Sequence, residues 1–430
     1  MKIKKIYVDG YKNIGNAEIE LNDITSILSV NNYGKSNLLL GMVFGLNFMQ
    51  VPFKTKEYMM CDIKCIPSLK SNKGKNFKFA VECSTVFEKK DVDVLYVYEF
   101  KWASMKHPNI VKEELKIKEK DSSSYTTYIS RNMSVANYKA SREARCSSDI
   151  QIEYSNLVLN KLVNYDKLFY APILKELLNI NMYIDRHFDA NIGYGITFMT
   201  EQELTNLTLR PENNIPKTLY RIKQDHPQKY TMLVNAYKDL FPSVEELYVD
   251  ELSNQVNHQF TIVNERGEYE TPKFSDKIYV LYVKDKNLID AINFNAMSDG
   301  AKRILLLLTF VVLAQINKYS IICIEEPENS INPNLLKKFL IALDALKDDL
   351  KLIFSSHSPY IINYMEPTKL YLGIPNENGV ATFKKIKTNT NNLKRLNRSI
   401  QESDMRLGDY LFDLMSGDID DIKELISYVE

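Results

Sequence analysis

No surplus of charge marks this chain. Its 55 Lys and Arg residues equal its 55 Asp and Glu residues. Bulk electrostatics therefore give no reason to expect a nucleic-acid partner, and only a local basic patch could supply one. Cysteine is sparse: five residues among 430, an odd count. Cys61 and Cys65 form CDIKC, the wrong spacing for a zinc knuckle, and no paired Cys/His set follows. All five are expected to be ordinary reduced thiols. His107, His187, His226 and His258 show no metal-ligand spacing. The N-terminus has no apolar core of signal-peptide length. The longest apolar run, Ile304–Ala314, is too short to span a bilayer and reads as a helix buried on all sides. No internal repeat, low-complexity linker or long heptad arm is visible. What remains is a cytoplasmic protein without a membrane segment. At 45% hydrophobic and 26% charged residues, it is able to build a sizeable core.

The pattern along the chain is that of an α/β protein. Residues 1–50 read strand, turn, strand, phosphate loop, helix, with Gly10 and Asn13–Asn16 as turns. Several β-rich runs over 76–130 suggest an antiparallel meander. Residues 131–255 read as an inserted helical subdomain broken at Pro211, Pro216, Pro227 and Pro242. QFTIVNERGEYE and KIYVLYVKD resemble a hairpin with a turn at ERGE. Helix and strand then alternate to Gly373, consistent with a parallel sheet. Two short amphipathic helices with an acidic bias close the chain. The resulting expectation is a divided head, 1–130 and 256–375, with the helical insertion 131–255 between its parts and a tail at 376–430. Leu69–Asn76, LKSNKGKN, is the expected mobile loop.

Four segments carry chemistry. NNYGKSN (Asn31–Asn37) lies between a β-branched strand and an apolar helix. It matches the second half of a phosphate-loop motif, whose first glycine is here Ser29. Gly34 lets backbone N–H groups approach phosphate oxygens, Lys35 offers a compact cation, and Ser36 offers a hydroxyl to Mg²⁺. Asn32 and Asn37 flank them as further candidate contacts. IICIEEPENSINP (Ile321–Pro333) reads as a buried strand delivering Glu325 and Glu326 at its carboxyl end, where open α/β sheets place ligands. Glu325 stands where an Asp is usual and would hold magnesium through its water shell; Glu326 would orient or deprotonate an attacking water. In MSDGAKR (Met297–Arg303), Ser298 is placed to cap the following helix and Gly300 to leave room for a phosphate. In SSHSP (Ser355–Pro359), His357 follows a short strand and could hydrogen-bond a γ-phosphate.

In this order these segments resemble the ABC-type ATPase head of the SMC, RecF and OLD kind. More closely, they resemble compact bacterial AAA family ATPases of antiphage systems such as Septu, PARIS and the abortive-infection loci. The resemblance covers about 1–50 and 290–375 well, and the meander loosely. It implies ATP and Mg²⁺ as ligands and a head-to-tail homodimer, or a higher assembly built on it. Ser298, Asp299, Gly300 and Lys302 of one copy would then meet the triphosphate held by the other. Asn329–Pro333 would occupy the D-loop position. Gln50 is the one candidate for the glutamine lid of the magnesium site. Residues after KLYLGI are too few for an appended nuclease. The implied function is therefore a slow sensor ATPase controlling a separate effector, a nuclease or toxin. The alternative is a RecF- or SMC-like ATPase that binds DNA in repair, using basic runs at 64–78, 139–145 and 385–398. In a third reading ATP is a structural ligand, hardly hydrolysed.

Overall fold

A computed structural model of the protein describes residues 1–30, 33–103, 109–165, 167–185, 193–195, 207, 214–253, 262–263, 269–270, 275–374 and 378–430. Asn32, Pro211 and the ERGE turn lie outside them. The chain divides into two compact units. One comprises Met1–Ile184, Tyr319–Glu326 and Lys351–Glu430; the other comprises Asp185–Lys318 and Pro327–Leu350.

The first unit holds two sheets. Strands β1 (Lys2–Asp9) and β2 (Ala17–Glu20) form the expected hairpin. They continue into β4 (Phe77–Phe87), β5 (Lys90–Lys101), β6 (Asn109–Glu119), β7 (Thr126–Asn132), β8 (Val135–Lys139) and β9 (Cys146–Asp149). The order is β2-β1-β4-β5-β6-β7-β8-β9, antiparallel throughout. Burial alternates along β4 and β5, so one face is aromatic and covered. The second sheet has the order β10-β16-β17-β3-β18-β19. These strands are β10 (Met182–Asp185), β16 (Ile321–Glu325), β17 (Lys351–Ser356), β3 (Ile24–Leu28), β18 (Leu370–Gly373) and β19 (Phe383–Lys385). Strands β16, β17, β3 and β18 run parallel, and β19 joins antiparallel at the edge. The parallel strands are almost wholly buried, as their continuous apolar runs require.

Helix α1 (Lys35–Gln50) is apolar all round because it lies within one core cluster with residues of both sheets. Phe48 stacks on Phe100 at 4.8 Å, and Phe44 meets Phe77 edge-on at 5.1 Å. After α2 (Phe53–Met60), hydrogen bonds anchor the Leu69–Asn76 segment to other parts of the first unit. Buried Asn72 donates to the Lys12 carbonyl at 2.8 Å, and Ser71 to the Asn378 carbonyl at 2.9 Å. Helices α3 (Val158–Leu162) and α4 (Ala171–Leu178) pack into the same cluster. Buried Glu113 of β6 caps α3, accepting from Val158 N (2.6 Å), Leu159 N (2.9 Å) and the Tyr96 hydroxyl (2.9 Å).

The second unit contains α5 (Ile215–Asp225) and α6 (Pro227–Leu240). Its sheet is β11 (Val244–Ser253), β14 (Lys277–Asp285) and β15 (Ile292–Asn293). The short strands β12 (Ile262–Val263) and β13 (Tyr269–Glu270) pair with each other. Strands β12 and β13 flank ERGE and pair antiparallel, as a turn there requires, whereas KIYVLYVKD (β14) pairs with β11 instead of joining that hairpin. Helix α7 (Asp299–Ile316) is buried without interruption from Ala301 to Ala314, and α8 (Pro333–Leu346) packs beside it.

The expected helical insertion 131–255 is not one body. Strands β8 and β9 extend the meander to Asp149, β11 occupies 244–253, and the helices are shared between the two units. Short strands such as VANYK have no strong period of their own; pairing with a neighbour decides them. The tail boundary at 376 also moves, because β19 belongs to the parallel sheet. Helix α9 (Pro359–Ile362), ahead of this boundary, contacts the tail, where α10 (Thr390–Glu402), α11 (Leu407–Ser416) and α12 (Ile419–Tyr428) follow. The last two are the expected pair. No helix among the described residues is long and apolar enough to cross a membrane.

Candidate functional site

The phosphate loop leaves β3 at the carboxyl edge of the parallel sheet, and α1 starts immediately after it. Gly34 caps α1 with φ 130° and ψ 13°. That backbone is open to glycine and hostile to other residues. A Cβ there would also stand 2.9 Å from Ala381 Cβ and 3.0 Å from Asn13 Nδ2. Lys35 is buried, with Nζ 2.7 Å from His357 Nε2, 2.9 Å from the Ser356 carbonyl and 3.4 Å from the Ser29 carbonyl.

His357 reaches the site from the end of β17, beside β3. Its Nδ1 lies 3.0 Å from the Ser29 carbonyl. A carbonyl only accepts and an ammonium only donates, so Nδ1 carries the proton and Nε2 accepts from Lys35. Burial, and then the Lys35 charge, hold the imidazole pKa below its ordinary value, which agrees with this neutral tautomer.

Glu325 ends β16, and its Oε1 lies 3.4 Å from the exposed Ser36 hydroxyl. Glu326 turns the chain at φ 48°, and its N–H donates to the Ser355 carbonyl at 2.8 Å. A non-glycine residue in that region stores strain of a kind concentrated at functional sites. Glu326 is close enough to His357 for its charge to favour the protonated ring. Asn37 donates to Asn13 Oδ1 at 2.8 Å, and Asn13 Nδ2 donates to the Tyr33 carbonyl at 3.0 Å. A pocket of 460 Å³ is lined by Ser29, Val30, Tyr33–Asn37 and His357.

The structure thus brings together Gly34, Lys35, Ser36, Asn37, Glu325, Glu326 and His357 within the first unit. Ser298, Asp299, Gly300 and Lys302 belong to the second. Ser298 is the N-cap of α7, accepting from Ala301 N at 3.4 Å. Gly300 proves to make room for protein: a Cβ there would lie 2.6 Å from the Ser330 carbonyl. Lys302 is buried in its own unit, 3.7 Å from Asp299 one helical turn away, which opposes a direct reach to a second copy. Gln50 sits at the far end of α1, about 22 Å from Lys35 by helix rise, and donates to the Ile180 carbonyl at 2.6 Å. It is no lid for this site. Sequence reasoning treated Asn13 as a turn residue and passed over Tyr33, which lies in the loop itself, and Gly373, which touches the loop from the neighbouring strand.

A parallel sheet with a phosphate loop and paired acids at its carboxyl edge defines the class of phosphate-loop nucleotide-binding proteins. Residues 1–362 match the family model described as AAA ATPase domain, and the chain belongs to that family. No curated protein matches it. Among solved structures it is similar to the SMC head domain from Thermotoga maritima, with 11% identity and TM-score 0.42 over 90% of this chain and 100% of that one. It is also similar to an SmcHead bound to the C-winged helix domain of ScpA, with 11% identity and TM-score 0.47 over 92% and 100% of the two chains.

Proposed function

We propose that this protein binds ATP with magnesium and hydrolyses it slowly as a homodimer, and that its nucleotide state controls a separate effector, a nuclease or toxin, in an antiphage defence system. The observation that carries the ATPase reading is the meeting of Lys35, Ser36, Glu325 and His357, drawn from three distant stretches of chain.

The residues fit magnesium. Ser36 and Glu325 set two hard oxygen donors side by side. Among the described residues no cluster of three or more His, Cys, Asp and Glu stands ready to bind a metal. Magnesium would therefore take its other ligands from phosphate and water, its usual preference. When bound it neutralises charge on the phosphates. The chain's own groups do the rest. The N-terminus of α1 and Lys35 hold the anion, Glu326 orients the attacking water and accepts its proton, and His357, once protonated at Nε2, donates to the terminal phosphate. Ser298 and Asp299, both exposed at the start of α7, would face the nucleotide of a second copy.

The defence assignment and the effector rest on the motif resemblance alone. The DNA-binding alternative is less favoured, because much of its basic tail is already engaged. Lys385 pairs with Glu20 at 2.8 Å, Arg398 with Glu402 at 2.8 Å, and Arg395 lies over Tyr428.

The test is ATP turnover and mass in solution for the full chain and Glu326→Gln. The variant is expected to lose turnover by about a hundredfold, to keep ATP bound and to double its mass by light scattering. Undiminished turnover overturns the role of Glu326, and a monomer with ATP bound overturns the dimer. Tagged protein recovered from native cells should carry a nuclease or toxin; recovery of the chain alone overturns effector control.

A further inference from the structure

The phosphate loop lacks its first glycine, and the adjacent strand supplies one instead. Gly373 ends β18, which pairs with β3 in parallel register, Leu372 opposite Leu28. A Cβ at Gly373 would lie 2.6 Å from Ser29 Cβ and 2.6 Å from Tyr33 Cδ1. Its φ is outside the left-handed region, so space alone requires the glycine.

Ser29 is fully buried, and its hydroxyl donates to the carbonyl of its neighbour Val30 at 3.1 Å. Its own carbonyl is the atom shared by Lys35 Nζ and His357 Nδ1. Tyr33 then pegs the loop to the β18–β19 hairpin. Its hydroxyl donates to the Ile374 carbonyl and accepts from Thr382 N at 3.1 Å. Its ring meets Phe383 edge-on at 5.8 Å.

We propose that Ser29, Tyr33 and Gly373 are positioning residues that shape the phosphate loop from the strand side. The serine fills the space left by Gly373, and the Tyr33 hydroxyl holds the loop against the hairpin. The Ser29 carbonyl is thereby fixed where Lys35 and His357 both need it. This rests on the nucleotide reading above.

Binding of a fluorescent ATP analogue with Mg²⁺ to the full chain tests it. Wild type should bind, and Lys35→Ala should lose at least about tenfold in affinity. Ser29→Gly restores the ordinary motif glycine, so if the serine merely impairs phosphate packing this variant binds more tightly. Here it opens a gap and frees the backbone, so Kd is expected to rise about threefold. Tyr33→Phe should raise Kd about tenfold. Gly373→Ala should weaken binding further, with Ser29→Gly in the same chain restoring part of the loss. Ser29→Gly and Tyr33→Phe remove atoms without adding any, so both keep the test available should Gly373→Ala fold poorly. Tighter or unchanged binding by Ser29→Gly together with unchanged binding by Tyr33→Phe overturns the inference while leaving the nucleotide reading intact. Failure of wild type to bind overturns both.

Discussion

Lys35 and His357 lie 322 positions apart in sequence and 2.7 Å apart in space. Parallel pairing of β17 with β3 makes this so, because both strands end at the same edge. A cation and an imidazole share one carbonyl, that of Ser29, and the imidazole stays neutral. An incoming phosphate meets a lysine already oriented and a ring nitrogen able to take up a proton beside it.

Replacing His357 by Ala is expected to lower kcat about tenfold to a hundredfold with a smaller change in nucleotide affinity. The pH dependence is signed. The folded-state pKa of His357 lies below the unfolded value of 6.5. The unfolded chain therefore takes up the proton first, and stability falls as pH drops from about 6.5 toward the folded pKa. Thermal melts between pH 7.5 and 5.5 should show a shallower acid-side loss in His357→Gln than in wild type.

Gly34→Ala puts a Cβ against Ala381 and Asn13 on a backbone at φ 130°. The loop must change shape to accept it. Nucleotide binding is expected to fall at least about a hundredfold, with a destabilisation of about 1–3 kcal/mol. Titration calorimetry and a melting curve on one preparation separate the two effects.

Gly300→Ala acts in the other unit, where its Cβ would press on the Ser330 carbonyl. Under the proposed dimer, ATP affinity stays within about twofold of wild type while turnover drops about tenfold, as for an interaction made only in the reacting complex. A parallel loss of affinity would show that the substitution acts on the phosphate loop instead.

Glu113→Gln probes the core of the antiparallel sheet. Two carboxylate oxygens accept three hydrogen bonds from Val158, Leu159 and Tyr96. Glutamine offers one oxygen and sets an NH₂ against a donor. The expected cost is about 2 kcal/mol with nucleotide affinity unchanged, read from denaturant melts and binding titrations. Burial raises the Glu113 pKa, so its contribution declines as pH rises from the unfolded carboxylate range toward the folded pKa.

Much of this was legible in the residues themselves. The loop NNYGKSN, the acid pair after IICIE and the apolar run of α7 are local signals; each depends on the chain's own periodicity and on residue types that chemistry restricts. The Val135–Lys139 and Cys146–Asp149 strands were not legible, since a short run gains strand character only from its partner. Lys302 was expected to meet the triphosphate of a second copy, and it is buried within its own unit. No spacing rule reports which face of a helix is covered.

By itself the sequence determined the class of chemistry, because a glycine–lysine–serine loop and paired carboxylates have few other uses at the ends of buried strands. Only the tertiary structure decided that Lys35 and His357 share the Ser29 carbonyl, and that Gly373 answers Ser29. Both depend on which strands lie side by side in the sheet, and strand order is set by packing between distant segments, not by any one of them.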